Sequence, residues 1–189
     1  MSYRDLGDID EKIIRTIIHM GAEQGVENVS SKRIAALCGI SNGTIFNRFD
    51  TMRALLDAAA QSFDRPHMEE VVKMAAEQLT VIQIWDKMLD YFLADPDGTL
   101  YYISYTNAFG FDPTTNNPRA EEFLEIAKVF FRSDCTLPDL QYLMMWDYVT
   151  SMAFYYAEKF IHGFLTYDEP SKAFVKQIVF NGITHILET

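Results

Sequence analysis

The residues best suited to do chemistry lie between Ser30 and Phe49. This stretch carries three basic side chains, Lys32, Arg33 and Arg48, and no acidic one. It also places Asn42, Thr44 and Asn47 on a short polar segment where they have no evident structural use. That inventory suits hydrogen bonding and phosphate pairing, as at a nucleic-acid surface. It does not suit bond-making. The chain shows no Ser/His/Asp order, no glycine-rich phosphate loop and no paired-carboxylate site. Cys38 and Cys135 lack metal-ligand spacing and give no disulfide framework. Cys38 reads as a small buried thiol on the inner side of its helix.

The elements around these residues take a recognisable form. Two short amphipathic segments flank Gly39-Ile40-Ser41. The first buries Ile34, Ala35 and Leu37, and the second Ile45 and Phe49. Gly39 falls where a helix ends in a left-handed residue, and Ser41 where the next helix needs an N-cap. Two helices joined by a three-to-four-residue turn containing glycine form a helix-turn-helix. In such a motif the second helix enters the major groove and its early residues face base edges.

Composition supports a helical globule. The 189 residues are 49% hydrophobic and 14% aromatic, with few glycines and prolines. The net charge is −11, unevenly spread: six basic and seven acidic residues up to residue 50, ten and twenty beyond it. That balance fits site-specific DNA binding and argues against general affinity for nucleic acid. The N-terminus, with Arg4, Asp5 and Asp8, does not read as a signal peptide. No apolar run reaches a membrane span without charges. The expected location is cytosolic, with no membrane partner.

Periodicity places helix one at 8–24, capped by Asp8 with Glu11 in a capping box and ended by Gly25. Val26 and Val29 plug the space before the motif. Helix two spans about 32–38, with Ser30 or Ser31 as its cap, and helix three about 42–48. Helix four starts at Asp50 or Thr51, turns Ala54, Leu55, Ala58, Ala59, Ser62 and Phe63 inward, and stops or kinks near Asp64 because Pro66 lacks a donor. Helices follow at 67–78 and 80–94. Asp95-Pro96-Asp97-Gly98 reads as a turn, Thr99–Gly110 as a Tyr-rich helix, and Asp112–Pro118 as a loop. Pro118 opens a helix to about Arg132. Leu137–Leu165 is apolar nearly all round, and 169–187 is the last helix. The fold class is all-α. A helix-turn-helix domain occupies 1–50, helix four (51–64) connects, and 65–189 form a larger ligand-binding and dimerisation domain.

Residues 10–56 resemble the DNA-binding domain of the TetR family of bacterial transcriptional regulators. The match runs through Gly25, Ser30-Ser31-Lys32-Arg33-Ile34-Ala35, Gly39-Ile40-Ser41-Asn42-Gly43-Thr44-Ile45-Phe46, Phe49 and Ala54-Leu55-Leu56, roughly a quarter of the chain. The resemblance implies that Ser31 caps helix two and contacts a phosphate, with Ser30 nearby. It implies that Lys32 reaches a base edge or phosphate, and that Asn42, Thr44 and Asn47 face the groove. Asn suits adenine edges, and Thr a thymine methyl or a phosphate. Gly43 allows close approach, and Arg48 serves a phosphate where His is common. Phe46 stands where the family often has Tyr, and Met52 where it usually has Lys, with Arg53 beside it.

The resemblance also implies a helical ligand cavity and a four-helix dimer interface from the last two helices. The excess of Tyr, Trp and Met fits an apolar cavity with polar tips. Its candidate lining is Trp85, Met88, Tyr91, Tyr101, Tyr105, Phe109, Trp146 and Met152. The all-round apolarity of 140–165 calls for a two-fold partner. The combined reading is a homodimeric regulator, a repressor by preference, and not an enzyme. It binds double-stranded, inverted-repeat operator DNA, is released by a small apolar or aromatic effector, and uses no cofactor or metal. One rival is a small-molecule-binding helical protein whose DNA function has decayed, suggested by Phe46 and Met52. The other is a helical enzyme using Asp147, Glu158 or His162.

Overall fold

The computed structural model describes residues 7–77, 79–110, 120–131 and 137–187. The side chains of 120, 122 and 182–187 are not among those described. Nine α-helices occur in the described residues: α1 (Asp8–Gln24), α2 (Ser31–Cys38), α3 (Asn42–Phe46), α4 (Met52–Ala76), α5 (Val81–Ala94), α6 (Pro96–Phe109), α7 (Ala120–Phe130), α8 (Asp139–Ile161) and α9 (Glu169–Leu187). A single 3-10 turn, Val26–Asn28, links α1 to α2. The chain divides into two compact units. One comprises residues 1–68 and 95–111, the other 69–94 and 112–189.

In the first unit, Ile13, Ile17, Ile34, Ile45 and Leu55 are completely buried. Each contributes about 1.5–3 kcal/mol by leaving water. Helix α6 belongs to this core. Gly21 of α1 lies against the ring of Tyr101, close enough that an added Cβ would sit 2.4 Å from Cδ2. The Tyr101 hydroxyl donates to the Leu56 carbonyl of α4 at 2.9 Å. Phe63 of α4 packs on Tyr102, ring centroids 5.5 Å apart. With Arg53 against Phe109 at one end and Phe63 against Gly98 at the other, α4 and α6 run antiparallel through this unit.

The second unit packs α8 against α5, α7 and α9. Phe92 stacks on Phe154 at 4.3 Å, Phe130 meets Trp146 edge-on at 5.3 Å, and Trp85 meets Phe180 edge-on at 5.5 Å. No helix among the described residues is long and apolar enough to cross a membrane.

Several local expectations are corrected. Helix four does not stop near Asp64. It continues through Pro66 to Ala76. An interior proline costs about 3 kcal/mol, but Phe63, Met68, Val71 and Met74 on either side are at most 5% exposed. Their burial offsets that cost. The N-cap of α1 is Gly7, which has no side chain to cap with, and Asp8 lies in the first turn instead. Leu37 is 57% exposed, because Ile34, Ala35 and Cys38 form the inward face of α2. Ala54 is exposed and Phe49 only half-buried. Asp95–Gly98 is the start of α6: Asp95 caps it by accepting from the Gly98 amide at 3.0 Å, and Pro96 fills the first turn. The expectations for Pro118, Arg132 and Cys135 fall outside the described residues.

Candidate nucleic-acid interface

The turn between α2 and α3 is closed at both ends by its own backbone. Gly39 is left-handed (φ 70°, ψ 33°). Its amide donates to Ala36, and that of Ile40 to Ala35, at 3.3 and 3.0 Å. This Schellman closure satisfies carbonyls that the end of α2 would otherwise leave open. Lys12 Nζ of α1 donates to a further one, the Cys38 carbonyl, at 2.9 Å. Ser41 caps α3 by accepting from the Thr44 amide at 3.0 Å. Ser41 and Thr44 hydroxyls also pair at 2.8 Å. The Thr44 hydroxyl thus has a partner at the cap. Helix two starts at Ser31 with Ser30 in the cap position, and the Ser30 side chain makes no cap bond.

Ile45 is fully buried and anchors α3, so the opposite face turns out. Asn42, Gly43, Phe46, Asn47 and Arg48 are all exposed there. Lys32 and Ser30 are exposed at the start of α2, and Ser31 and Thr44 are half-buried. Every DNA-facing candidate therefore lies on the two motif helices or immediately beside them. A Cβ at Gly43 would meet nothing closer than Ser41 Oγ at 3.6 Å, so folding does not demand glycine there.

The cations are less available than their count suggests. Arg48 is salt-bridged to Asp10 of α1, Arg15 to Glu11, and Arg33 donates to Gln24. Arg53 Nε bonds Asp57 Oδ1 at 2.6 Å, its Nη2 donates to the Tyr105 hydroxyl at 3.1 Å, and its guanidinium lies 4.1 Å from the Phe109 ring centre. Tyr105 in turn donates to Asp57. Burial, then that hydrogen bond, push the Tyr105 phenol up to about 12, so it stays a donor at neutral pH. Of the basic side chains at 7–59, Lys32 alone has no protein partner among the described residues. Asp10 and Lys12 were not singled out in the sequence. Their roles depend on the packing of α1 against the motif, for which α1's own pattern carries no signal.

The eight cavity candidates divide between the units. Tyr101, Tyr105 and Phe109 sit on α6 in the first, engaged with α1 and α4 as described. Trp85, Met88, Tyr91, Trp146 and Met152 belong to the second. Trp85, Met88 and Trp146 are buried, Tyr91 and Met152 half-buried. The Trp85 indole N–H and Asp86 Oδ1 are buried without a hydrogen-bond partner among the described residues. Glu158 pairs with Lys159 at 3.4 Å, and His162 is exposed at the end of α8.

A three-helix unit with a capped, outward-facing third helix is the architecture of a helix-turn-helix regulator. Residues 13–59 match the model of the bacterial regulatory proteins, tetR family. The fold is similar to that of solved proteins described as transcription regulators. A putative transcription regulator from Lactobacillus plantarum matches with TM-score 0.65 at 18% identity, over 91% of this chain and 96% of that one. A TetR-like transcriptional regulator from Rhodococcus sp. RHA1 gives 0.65 at 13%, over 93% and 96%. The transcriptional regulator FadR from Bacillus subtilis, in complex with stearoyl-CoA, gives 0.56 at 13%, over 89% and 95%. No curated protein matches by sequence.

Proposed function

We propose that the protein is a cytosolic, homodimeric repressor that binds an inverted-repeat operator and is released by a small apolar or aromatic effector. The observation that carries this reading is the exposed face of α3. It offers Asn42, Asn47, the Thr44 methyl and a dispensable glycine, next to the unpartnered Lys32. Asparagine amides pair with adenine edges, and the methyl packs on thymine.

Dimerisation is supported by an apolar stripe on the last two helices. Leu140, Met144, Tyr148 and Tyr155 of α8 and Phe174 and Ile178 of α9 are 39–64% exposed. Effector binding is supported by the aromatic interior of the second unit and by the buried indole N–H of Trp85, which favours a ligand with a hydrogen-bond acceptor. The Bacillus subtilis neighbour with stearoyl-CoA is consistent with an apolar effector. The ligand acts only through its differential affinity for DNA-competent and DNA-incompetent states.

Selection of bound DNA from a random pool tests the reading. The expected product is an inverted repeat with half-sites about one turn, roughly 34 Å, apart or slightly more. Lys32→Ala should weaken binding and lower the salt slope by about one unit if it meets a phosphate, while Asn47→Ala should relax sequence preference. Enrichment of no sequence would refute operator binding. Together with retained effector binding, it would favour a ligand-binding protein that has lost its DNA role. The pairing of Arg48 and Arg53 with carboxylates of the protein itself is the observation on that side.

A further inference from the structure

We propose that Arg53 is a positioning residue for DNA recognition and not a DNA contact: together with Asp57, Tyr105 and Phe109 it fixes the first turn of α4 to the last turns of α6. The proposal rests on the DNA-binding reading above and names the device that sets the angle of the motif.

Arg53 is the second residue of α4, and only residues 47–51 separate that helix from α3. Whatever orients the start of α4 therefore orients the recognition helix. The guanidinium is held in three directions: by Asp57 Oδ1 at 2.6 Å, by the Tyr105 hydroxyl at 3.1 Å, and by the Phe109 ring at 4.1 Å. Tyr105 closes the ring of contacts by donating to the same Asp57 oxygen. A planar fork stacked on an aromatic ring is a use that lysine cannot reproduce. A phosphate would compete with Asp57 and Tyr105 for the Nε and Nη2 donors that the cluster uses.

The other end of the connection is equally tied. Helix α6 is bound to α1 by the Gly21–Tyr101 contact and by His19 to Asp97 at 2.9 Å, and to the 3-10 turn after α1 by the Val26 amide donating to Ser104 Oγ at 2.8 Å. Helix α6 is thus a strut fastened to the helix before the motif and to the helix after it. The Arg53 cluster is its fastening nearest to α3. Met52 leaves no cation at the preceding position, and Arg53 does not take its place at the DNA.

The experiment compares the full-length protein with Arg53→Lys, Arg53→Gln, Tyr105→Phe and the Arg53→Lys/Tyr105→Phe double variant. Each is titrated with the DNA sequence selected by the wild type, between 50 and 200 mM salt. A melting curve on each variant confirms folding. The expected result is that Arg53→Lys and Tyr105→Phe each weaken binding by about threefold to thirtyfold. The double variant should be no worse than the weaker single, and the salt slope should stay at the wild-type value. The opposite pattern overturns the proposal: Arg53→Lys binds as wild type, Tyr105→Phe has no effect, and Arg53→Gln lowers the slope by about one unit, the mark of a phosphate contact. If the wild type selects no sequence at all, the DNA-binding reading itself has failed and the positioning role falls with it.

Discussion

Met144→Glu puts the proposed dimer to its sharpest test. Met144 is 58% exposed at the middle of the stripe formed by Leu140, Met144, Tyr148 and Tyr155. Full burial of such a side chain is worth about 1.5–3 kcal/mol, so the exposed half retains about 1 kcal/mol for association. A two-fold axis uses the residue twice, which makes about 2 kcal/mol. The substitution removes that gain and also places two carboxylates in the interface. Leaving each desolvated and unpaired costs at least about 1 kcal/mol more. The sum is about 4 kcal/mol, or roughly a thousandfold in the dimer dissociation constant. Sedimentation equilibrium over nanomolar to micromolar protein measures it. Leu37→Glu is the control, since Leu37 is equally exposed at 57% but lies on α2. Met144→Glu should be monomeric at concentrations where the wild type and Leu37→Glu are dimers. An unchanged dissociation constant would remove α8 from the interface, and a wild type monomeric throughout would remove the dimer.

Two further outcomes concern the first unit. Gly21→Ala should destabilise the protein, because the new Cβ would lie 2.4 and 2.8 Å from the Tyr101 ring, whose hydroxyl is held by Leu56. Overpacking costs about 1–3 kcal/mol, against up to about 1 kcal/mol returned by alanine's helix preference. A net rise in chemical-denaturation stability would contradict the close packing of α1 on α6. His67 is 4% exposed, and burial lowers its pKa to about 4. The unfolded chain takes up this proton below about 6.5 and the folded chain only near 4, so stability falls as pH drops through that window and is unaffected above it. The loss is at most about 3 kcal/mol. Denaturation at pH 7.5 and 5 should show a smaller fall for His67→Gln; an equal fall would mean that another group carries the acid sensitivity.

The parts of the fold that were legible in the sequence are those decided within a few residues. Gly39 needs a positive φ, Ser41 caps its own helix, and Ile13, Ile17 and Met20 repeat at helical spacing. The illegible parts depend on residues far apart in the chain. Pro66 signals a helix end locally, and only the burial of its neighbours outweighs that signal. Tyr101, Tyr105 and Phe109 resemble cavity linings because aromatic residues at helical spacing fit both a cavity and a core. Their partners are a missing side chain at Gly21 and a cation at Arg53, neither of which marks itself as an aromatic's neighbour. The exposure of the candidates on α3 was legible, since on a short capped helix it follows from one buried residue, Ile45.

The same distinction governs the electrostatics of the interface. A count of cations in the motif treats Lys32 and Arg48 alike, yet their contributions to phosphate binding differ in kind. Lys32 brings a solvated ammonium and loses only its water. Arg48 already neutralises Asp10, whose side chain is 16% exposed, so a phosphate has to share that cation or displace an existing ion pair. Its gain is smaller than that of a free cation by what the shared pair loses. Counterion release, the term that makes proteins cling to any DNA, is correspondingly small. On the proposed reading, discrimination in a chain of net charge −11 rests on the uncharged groups of Asn42, Asn47 and Thr44, and on how rigidly α3 is held. Contacts of that kind reward only the right bases at the right spacing. The proposed role of α4 and α6 thus makes their rigidity as much a determinant of specificity as the side chains proposed to face the groove.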